Sequence, residues 1–266
     1  MKLTMLGTGN ALVTEYYNTC FVISDKNQHF MVDGGGGNTV LHQLSHCGFN
    51  ISEIRNIFVT HKHIDHLLGI IWLIRNICMA MNKEDYEGNA YIYGHDEVID
   101  LLRDISTKLL FEKERKNLDK RLLLVKVKDR EKINIIDHEV IFFDIHSDKA
   151  KQFGFSMELD HEEILTCCGD EPYNDSFKEF ALNSKWLLHE AFCLHSEAEI
   201  FKPYQKHHST VKNACQTAEK LNVKNLVLYH TEDKNKNYRK QLYLEEGQQY
   251  YSGNLFIPED FESIEL

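Results

Sequence analysis

Proline is scarce in this sequence, three in 266 residues. No Gly/Ser/Pro-rich stretch marks a linker, so residues 1–266 read as one compact domain. A targeting signal is missing too. The opening MKLTMLGTGNA has no apolar core and no small-residue cleavage site, so no secretory leader is expected. Nor is there an apolar run of about 20 residues, the length a bilayer span needs. The most apolar stretch, Leu67 to Met81, is interrupted by Gly69, Arg75 and Asn76, and predicts a buried helix and no membrane partner. The seven cysteines (Cys20, Cys47, Cys78, Cys167, Cys168, Cys193, Cys215) are odd in number and form no C-x-x-C pair. Free thiols in a reducing cytoplasm are the expectation. Positive charge is also short. A formal net charge of −11 repels polyanions and argues against nucleic-acid binding over the whole surface.

The deficit is uneven. Arg103 to Lys132 carry 11 Lys/Arg against 6 Asp/Glu. A solvated helix face with i,i+4 pairs is the plainer account. A phosphate-attracting patch is the sharper one.

Apolar, β-rich runs predict strands at 2–6, 19–24, 30–32, 56–60, 90–93, 122–127, 133–136, 140–145, 153–159, 164–168, 186–188, 225–229 and 254–257. Helices are expected at 39–46, after 66, from about 96 to 116, at 209–221 with Ser209 or Thr210 as N-cap, and near 238–246. The run Gly34 to Gly37 breaks the chain sharply after Asp33. Strands interspersed with helices imply an α/β layered sandwich.

Histidine is abundant, 15 in all, and its placement is informative. HKHIDH at 61–66 puts three imidazoles and a carboxylate where a buried strand ends. One divalent metal cannot easily use all four groups. His61 and His63, alternating, suit one metal; Asp65 and His66, adjacent, suit a second about 4 Å away. Further ligands should again be single His or Asp residues after apolar strands. His146 follows VIFFDI, Asp170 follows ILTCCG and His230 follows NLVLY.

These motifs resemble the metallo-β-lactamase superfamily and, within it, the tRNase Z (ribonuclease Z) branch of phosphodiesterases. The resemblance runs nearly end to end. TMLGTGNA, NTCFVI and MVDGG are similar to the branch's first strands and Gly-rich turn, and VTHKHIDHLLGI to its metal motif. HSDKAKQFGF, LTCCGDE and LVLYHTED resemble its later ligand segments. LLHEAF and HHST, similar to its His-Glu-Ala-Thr and His-Ser-Thr elements, point to this branch in particular. The resemblance implies a four-layer αββα sandwich. It implies two divalent cations, the first held by His61, His63 and His146, the second by Asp65, His66 and His230, with Asp170 bridging. Nitrogen and oxygen donors suit zinc, with manganese or iron as alternatives. A shared hydroxide would attack phosphorus, with Asp65 accepting the water's proton. His208, oriented by Glu190, would protonate the leaving alkoxide. His189 is equally a supporting or a purely structural residue; His161, His195 and His207 read as surface histidines.

Two departures from the branch stand out. Phe192 occupies the place of its Thr. Only 24 residues separate His146 from Asp170, room for two strands and a turn but not for the long basic arm that clamps tRNA. The extra length lies instead in a charged helical insertion near 95–121. The expected substrate is therefore a phosphodiester, either an RNA 3′ end or a small or cyclic molecule. Members of the branch are often dimers, and the resemblance implies a homodimer. A lactonase- or β-lactamase-type ester hydrolase is the alternative enzyme, although it has no evident need for Glu190 and His208. A non-catalytic metal-stabilised binding protein is the third reading, disfavoured because no ligand is lost.

Overall fold

Each apolar run read as a strand forms one in the computed structural model, which describes residues 1–266. The chain divides into two units. The first comprises Met1–Gly7, Tyr17–Lys128 and Asp260–Leu266, the second Thr8–Tyr16 and Asp129–Glu259.

The first unit runs β1 (Lys2–Gly7), β2 (Cys20–Asp25), β3 (Gln28–Val32), α1 (Thr39–His46), β4 (Asn56–Phe58), α2 (Ile64–Asn82), β5 (Ala90–Gly94), α3 (Asp96–Leu109), α4 (Glu112–Arg115) and β6 (Leu122–Lys126). The carboxy-terminal residues Ser263–Glu265 return as β14, which pairs antiparallel with β1. The sheet order is β14-β1-β2-β3-β4-β5-β6. β1 to β3 pair antiparallel, and β3 to β6 pair parallel. Val22, Met31, Ile57 and Ile92 share one core with Val40 of α1, Ile70, Leu73 and Ile77 of α2 and Leu102 of α3. The apolar helix α2 is thus a core element, as its interrupted hydrophobic run predicts.

The second unit runs β7 (Lys132–Ile135), β8 (His138–Asp144), β9 (Phe153–Glu158), β10 (Ile164–Cys167), α5 (Lys178–Ala181), β11 (Trp186–Glu190), α6 (Ala198–Phe201), α7 (Val211–Lys220), β12 (Asn225–Tyr229), α8 (Arg239–Gly247) and β13 (Asn254–Phe256). Its sheet order is β13-β12-β11-β10-β9-β8-β7. β7 to β10 form an antiparallel meander, and β10 to β13 run parallel. Leu187, Leu226 and Leu228 pack with Val211, Ala214 and Ala218 of α7 and Tyr243 of α8. Thr210 is the N-cap of α7: its Oγ1 accepts from Asn213 N at 3.4 Å while the Asn213 carboxamide accepts from Thr210 N at 3.2 Å.

Two elements differ from expectation. The helix predicted to about 116 ends at Leu109, and α4 begins after Phe111. Leu110 turns extended and is buried in the core, and the Glu114 carboxylate accepts from Phe111 N at 2.8 Å, starting a new helix. Several charges of this region form ion pairs. Arg103 bonds Asp119, Lys126 bonds Asp100 at 2.8 Å, and Lys108 bonds Asp104 at 2.6 Å, the ion-laced surface of the plainer account. β14 was not expected, because a three-residue Ser-Ile-Glu edge strand carries no readable alternation.

Candidate metal centre

In parallel sheets, chemistry gathers beyond the carboxyl ends of the strands. Each unit follows that rule with its own set of nitrogen and oxygen donors. In the first, β3 delivers Asp33 and β4 delivers Thr60 and His61, side by side because β3 and β4 pair in register. The Gly-rich turn after Asp33 then docks on α2. Gly34 N donates to His66 O at 2.9 Å and Gly69 N to Gly35 O at 2.8 Å. A Cβ on Gly69 would meet Gly34 O at 1.7 Å, so only glycine permits this approach. The first turn of α2 is thereby pinned beside Asp33.

His61, Asp65 and His66 are buried there, with His63 half-buried at the N-cap of α2. His61 Nε2 and His63 Nδ1 face each other at 2.8 Å, and His61 Nδ1 lies 3.0 Å from Thr60 Oγ1. Asp65 Oδ2 lies 3.4 Å from His66 Nε2. The other nitrogen of His66, Nδ1, lies 2.7 Å from Asp33 Oδ2, and Asp33 also accepts from Thr60 N and Thr60 Oγ1, each at 2.8 Å. A carboxylate behind an imidazole, fixing its tautomer and leaving Nε2 for a ligand bond, is the usual support of a metal-binding histidine.

In the second unit Asp170 follows β10, Glu190 ends β11 and His230 follows β12, three adjacent parallel strands. His230 Nε2 lies 3.6 Å from Asp170 Oδ2. His230 sits at φ 59°, a left-handed conformation uncommon for a side-chain-bearing residue and enriched at functional sites. Ligand atoms of Glu190, His208 and His230, all buried, lie within 4.8 Å of one another. Glu190 Oε1 accepts from both the amide and, at 2.7 Å, the hydroxyl of Ser209. That fixes the carboxylate and leaves Oε2 3.6 Å from His208 Nδ1. The structure brings Glu190 and His208, the residues singled out in HEAF and HHST, next to each other without a hydrogen bond between them.

His146 stands apart. It also has a left-handed backbone, φ 56°, but its side chain is 62% exposed and its Nδ1 lies 4.0 Å from Asp144 Oδ1. His189 has both ring nitrogens engaged: its Nδ1 lies 2.7 Å from Glu190 O, its Nε2 accepts from Tyr173 N at 3.3 Å, and burial pushes its pKa down. No cysteine competes as a ligand. All seven are free thiols, and burial pushes Cys78, Cys193 and Cys215 up to about 12.

Buried imidazoles and carboxylates with adjacent donor atoms are the chemistry of a divalent-cation site, and the residues present fit one. Comparison with known proteins places the chain. The family described as "Anti-Pycsar protein Apyc1" matches residues 1–250. The chain belongs to the Apyc1 family. A ribonuclease Z of Synechococcus sp. (strain CC9902) is 25% identical over an alignment of 311 positions, covering 98% of this chain and 91% of that protein. Among solved structures, the metallo-β-lactamase fold protein YhfI from Bacillus subtilis superposes with a TM-score of 0.79 at 18% identity, covering 99% and 98% of the two chains. The short form of human tRNase Z gives 0.76 at 20% identity, covering 100% and 99%. These likenesses establish an α/β sandwich of metallo-β-lactamase type, built from two mixed sheets with helices. This Apyc1-family chain lies in the ribonuclease Z-like branch of that superfamily.

Asp33, Thr60 and Ser209 carry functional geometry that sequence reasoning did not assign. MVDGG was visible as a strand followed by a glycine turn, but the acid's role as partner of His66 needs the β3–β4 register. Asp33→Asn removes the charge behind His66 while keeping its shape. Zinc affinity, read by competition with a chromophoric chelator, is expected to fall about 10- to 100-fold. Unchanged affinity would reduce Asp33 to a turn residue.

Proposed function

We propose that this protein is a binuclear-metal phosphodiesterase acting on small phosphodiesters, cyclic nucleotides among them. The observation that carries the reading is the buried Glu190–His208 pair, with Glu190 locked by Ser209. Phosphodiester cleavage expels an alkoxide, which such a donor would protonate; carbonyl esters and lactams also expel a basic group, so what favours phosphorus over carbonyl carbon is the likeness to ribonuclease Z.

In this reading His61 and His63 would hold one cation, with His146 joining them only once its side chain, exposed in this structure, turned inward; Asp65, His66 and His230 would hold the other, and Asp170 would serve both. Bound there, the cations would supply Lewis-acid activation of water and neutralise charge on the phosphoryl oxygens. Zinc fits the donors best, with manganese or iron as alternatives. Asp65 accepts the proton of the attacking water. The Glu190 carboxylate stabilises the His208 imidazolium, which gives its proton to the leaving oxygen. Asp33 and Thr60 hold His66 and His61 in orientation from behind.

A small substrate is supported by the segment between His146 and Asp170. It folds as β9 and β10 paired with each other, Phe155 opposite Cys167, with no projecting arm. The acidic surface charge supports the same preference. A homodimer is part of this reading, as the resemblance to ribonuclease Z implies, and the free cysteines suit a cytoplasmic location.

The zinc- or manganese-loaded protein should hydrolyse bis(p-nitrophenyl) phosphate faster than a γ-lactone or nitrocefin, by kcat/KM. Faster lactone or nitrocefin turnover would replace phosphodiester chemistry with carbonyl hydrolysis.

A further inference from the structure

His208 has a weak polar anchor for a residue that must deliver a proton along one direction. Its Nδ1 makes no hydrogen bond, and the nearest Glu190 oxygen, at 3.6 Å, also makes none. An ion-pair contact of that length does not fix the plane of an imidazole. The plane is set by rings. Phe192 lies almost parallel to His208, with centroids 4.8 Å apart and an interplanar angle of 16°. His230 covers it obliquely at 5.1 Å and 36°.

Phe192 is itself held firmly. Its side chain is buried, Phe201 meets its ring edge-on at 6.3 Å, and the Lys206 ammonium lies 4.9 Å from its centroid. Phe192 N donates to Ser209 O at 3.0 Å, and Phe192 O accepts from Glu232 N at 2.9 Å. The segment bearing Phe192 is therefore stitched to the segment bearing His208 and Ser209. Where the ribonuclease Z-like pattern has a small Thr, this chain has an aromatic ring that supports its proton donor.

We propose that Phe192, backed by Lys206, is a positioning residue whose stacked ring fixes the His208 imidazole toward Glu190 and the leaving oxygen. The inference rests on the reading of His208 as proton donor. Stacking constrains tilt without competing for either ring nitrogen, so the ring keeps Nδ1 for Glu190 and its other nitrogen for substrate. An aliphatic side chain of similar volume fills the space but leaves the ring free to tilt. Loss of angular alignment costs rate in the step where the proton moves, and little in binding.

The test uses the metal-loaded protein and two substrates that differ in leaving group, bis(p-nitrophenyl) phosphate and diphenyl phosphate. Phe192→Leu is expected to lower kcat for diphenyl phosphate about 10- to 100-fold, with KM unchanged. With p-nitrophenolate, which leaves without help, the loss should be roughly threefold or less. Phe192→Tyr should restore the rate on diphenyl phosphate. Carbon–proton NMR of the His208 ring supplies a readout independent of turnover: its protons, shielded by the Phe192 face, should move downfield in Phe192→Leu and stay in place in Phe192→Tyr. Phe192→Met serves where the Leu variant fails to melt cooperatively.

His208→Ala is run in parallel. If it slows both substrates equally, the proton-donor reading fails and takes the positioning role with it. If it is selective for diphenyl phosphate while Phe192→Leu and Phe192→Met are not, the inference alone is overturned. Unmoved His208 resonances in the Leu or Met variant overturn it as well.

Discussion

Dialysed against a chelator, the protein is expected to lose phosphodiester hydrolysis completely and to recover it when zinc or manganese is returned. The donor sets give the reason. His61 Nε2 and His63 Nδ1 sit 2.8 Å apart, and Asp65 and Asp170 are buried carboxylates next to imidazoles. A cation is the counter-charge that such a set is built around, and buried charges without one are costly. Stability should follow activity. A ligand that binds only the native state adds RT ln(1 + [L]/Kd), about 4 kcal/mol when free metal is 1,000 times Kd. For a chain of this size that corresponds to roughly 10 °C in Tm. Calorimetry of the chelated and reloaded protein, with metal content measured on the same samples, checks both effects. Turnover that survives chelation would remove the metals from the reaction.

Asp33 shows where sequence reading stops. HKHIDH was legible because its donors are compressed into six residues, and a strand followed by a helix must carry them. Asp170 and His230 were legible because each stands just beyond an apolar strand, and the parallel pairing of β10, β11 and β12 brings those strand ends together. Glu190 and His208, 18 positions apart, needed the family resemblance to be paired at all.

Asp33 and Ser209 act through hydrogen bonds whose existence depends on register and on a glycine-permitted backbone approach. No local pattern in one sequence encodes either. Phe192 was visible only as a mismatch; its stacking on His208 is a tertiary fact. The break between α3 and α4 failed for a related reason: periodic charge continues through Leu110, and burial of that leucine overrides local helix preference. His146 was named by the same strand-end argument as His230, yet its side chain is exposed while that of His230 is buried. Strand-end position predicts where a residue's backbone lies, not how its side chain is turned.

Asp65→Ala should be the most damaging single substitution. The residue lies in the first turn of α2, where the helix dipole stabilises a carboxylate, and it is 6% exposed. It is read both as a ligand of the second cation and as the acceptor of the water's proton, and Ala removes both roles. kcat/KM on bis(p-nitrophenyl) phosphate is expected to fall by at least about 10³-fold. The fold should remain cooperative, because α2 is held by Ile70, Leu73, Ile74 and Ile77 in the core and by the Gly34 and Gly69 backbone bonds, none of which involves the Asp65 side chain. Asp65→Asn separates the two roles. It keeps an oxygen donor but accepts protons poorly, so it should retain more metal than the Ala variant while staying nearly as slow. Both variants are to be assayed for metal per chain, rate and melting. Wild-type turnover in Asp65→Ala would overturn the assignment. A rate for Asp65→Asn close to wild type would confine Asp65 to metal binding and leave the water's proton to another base.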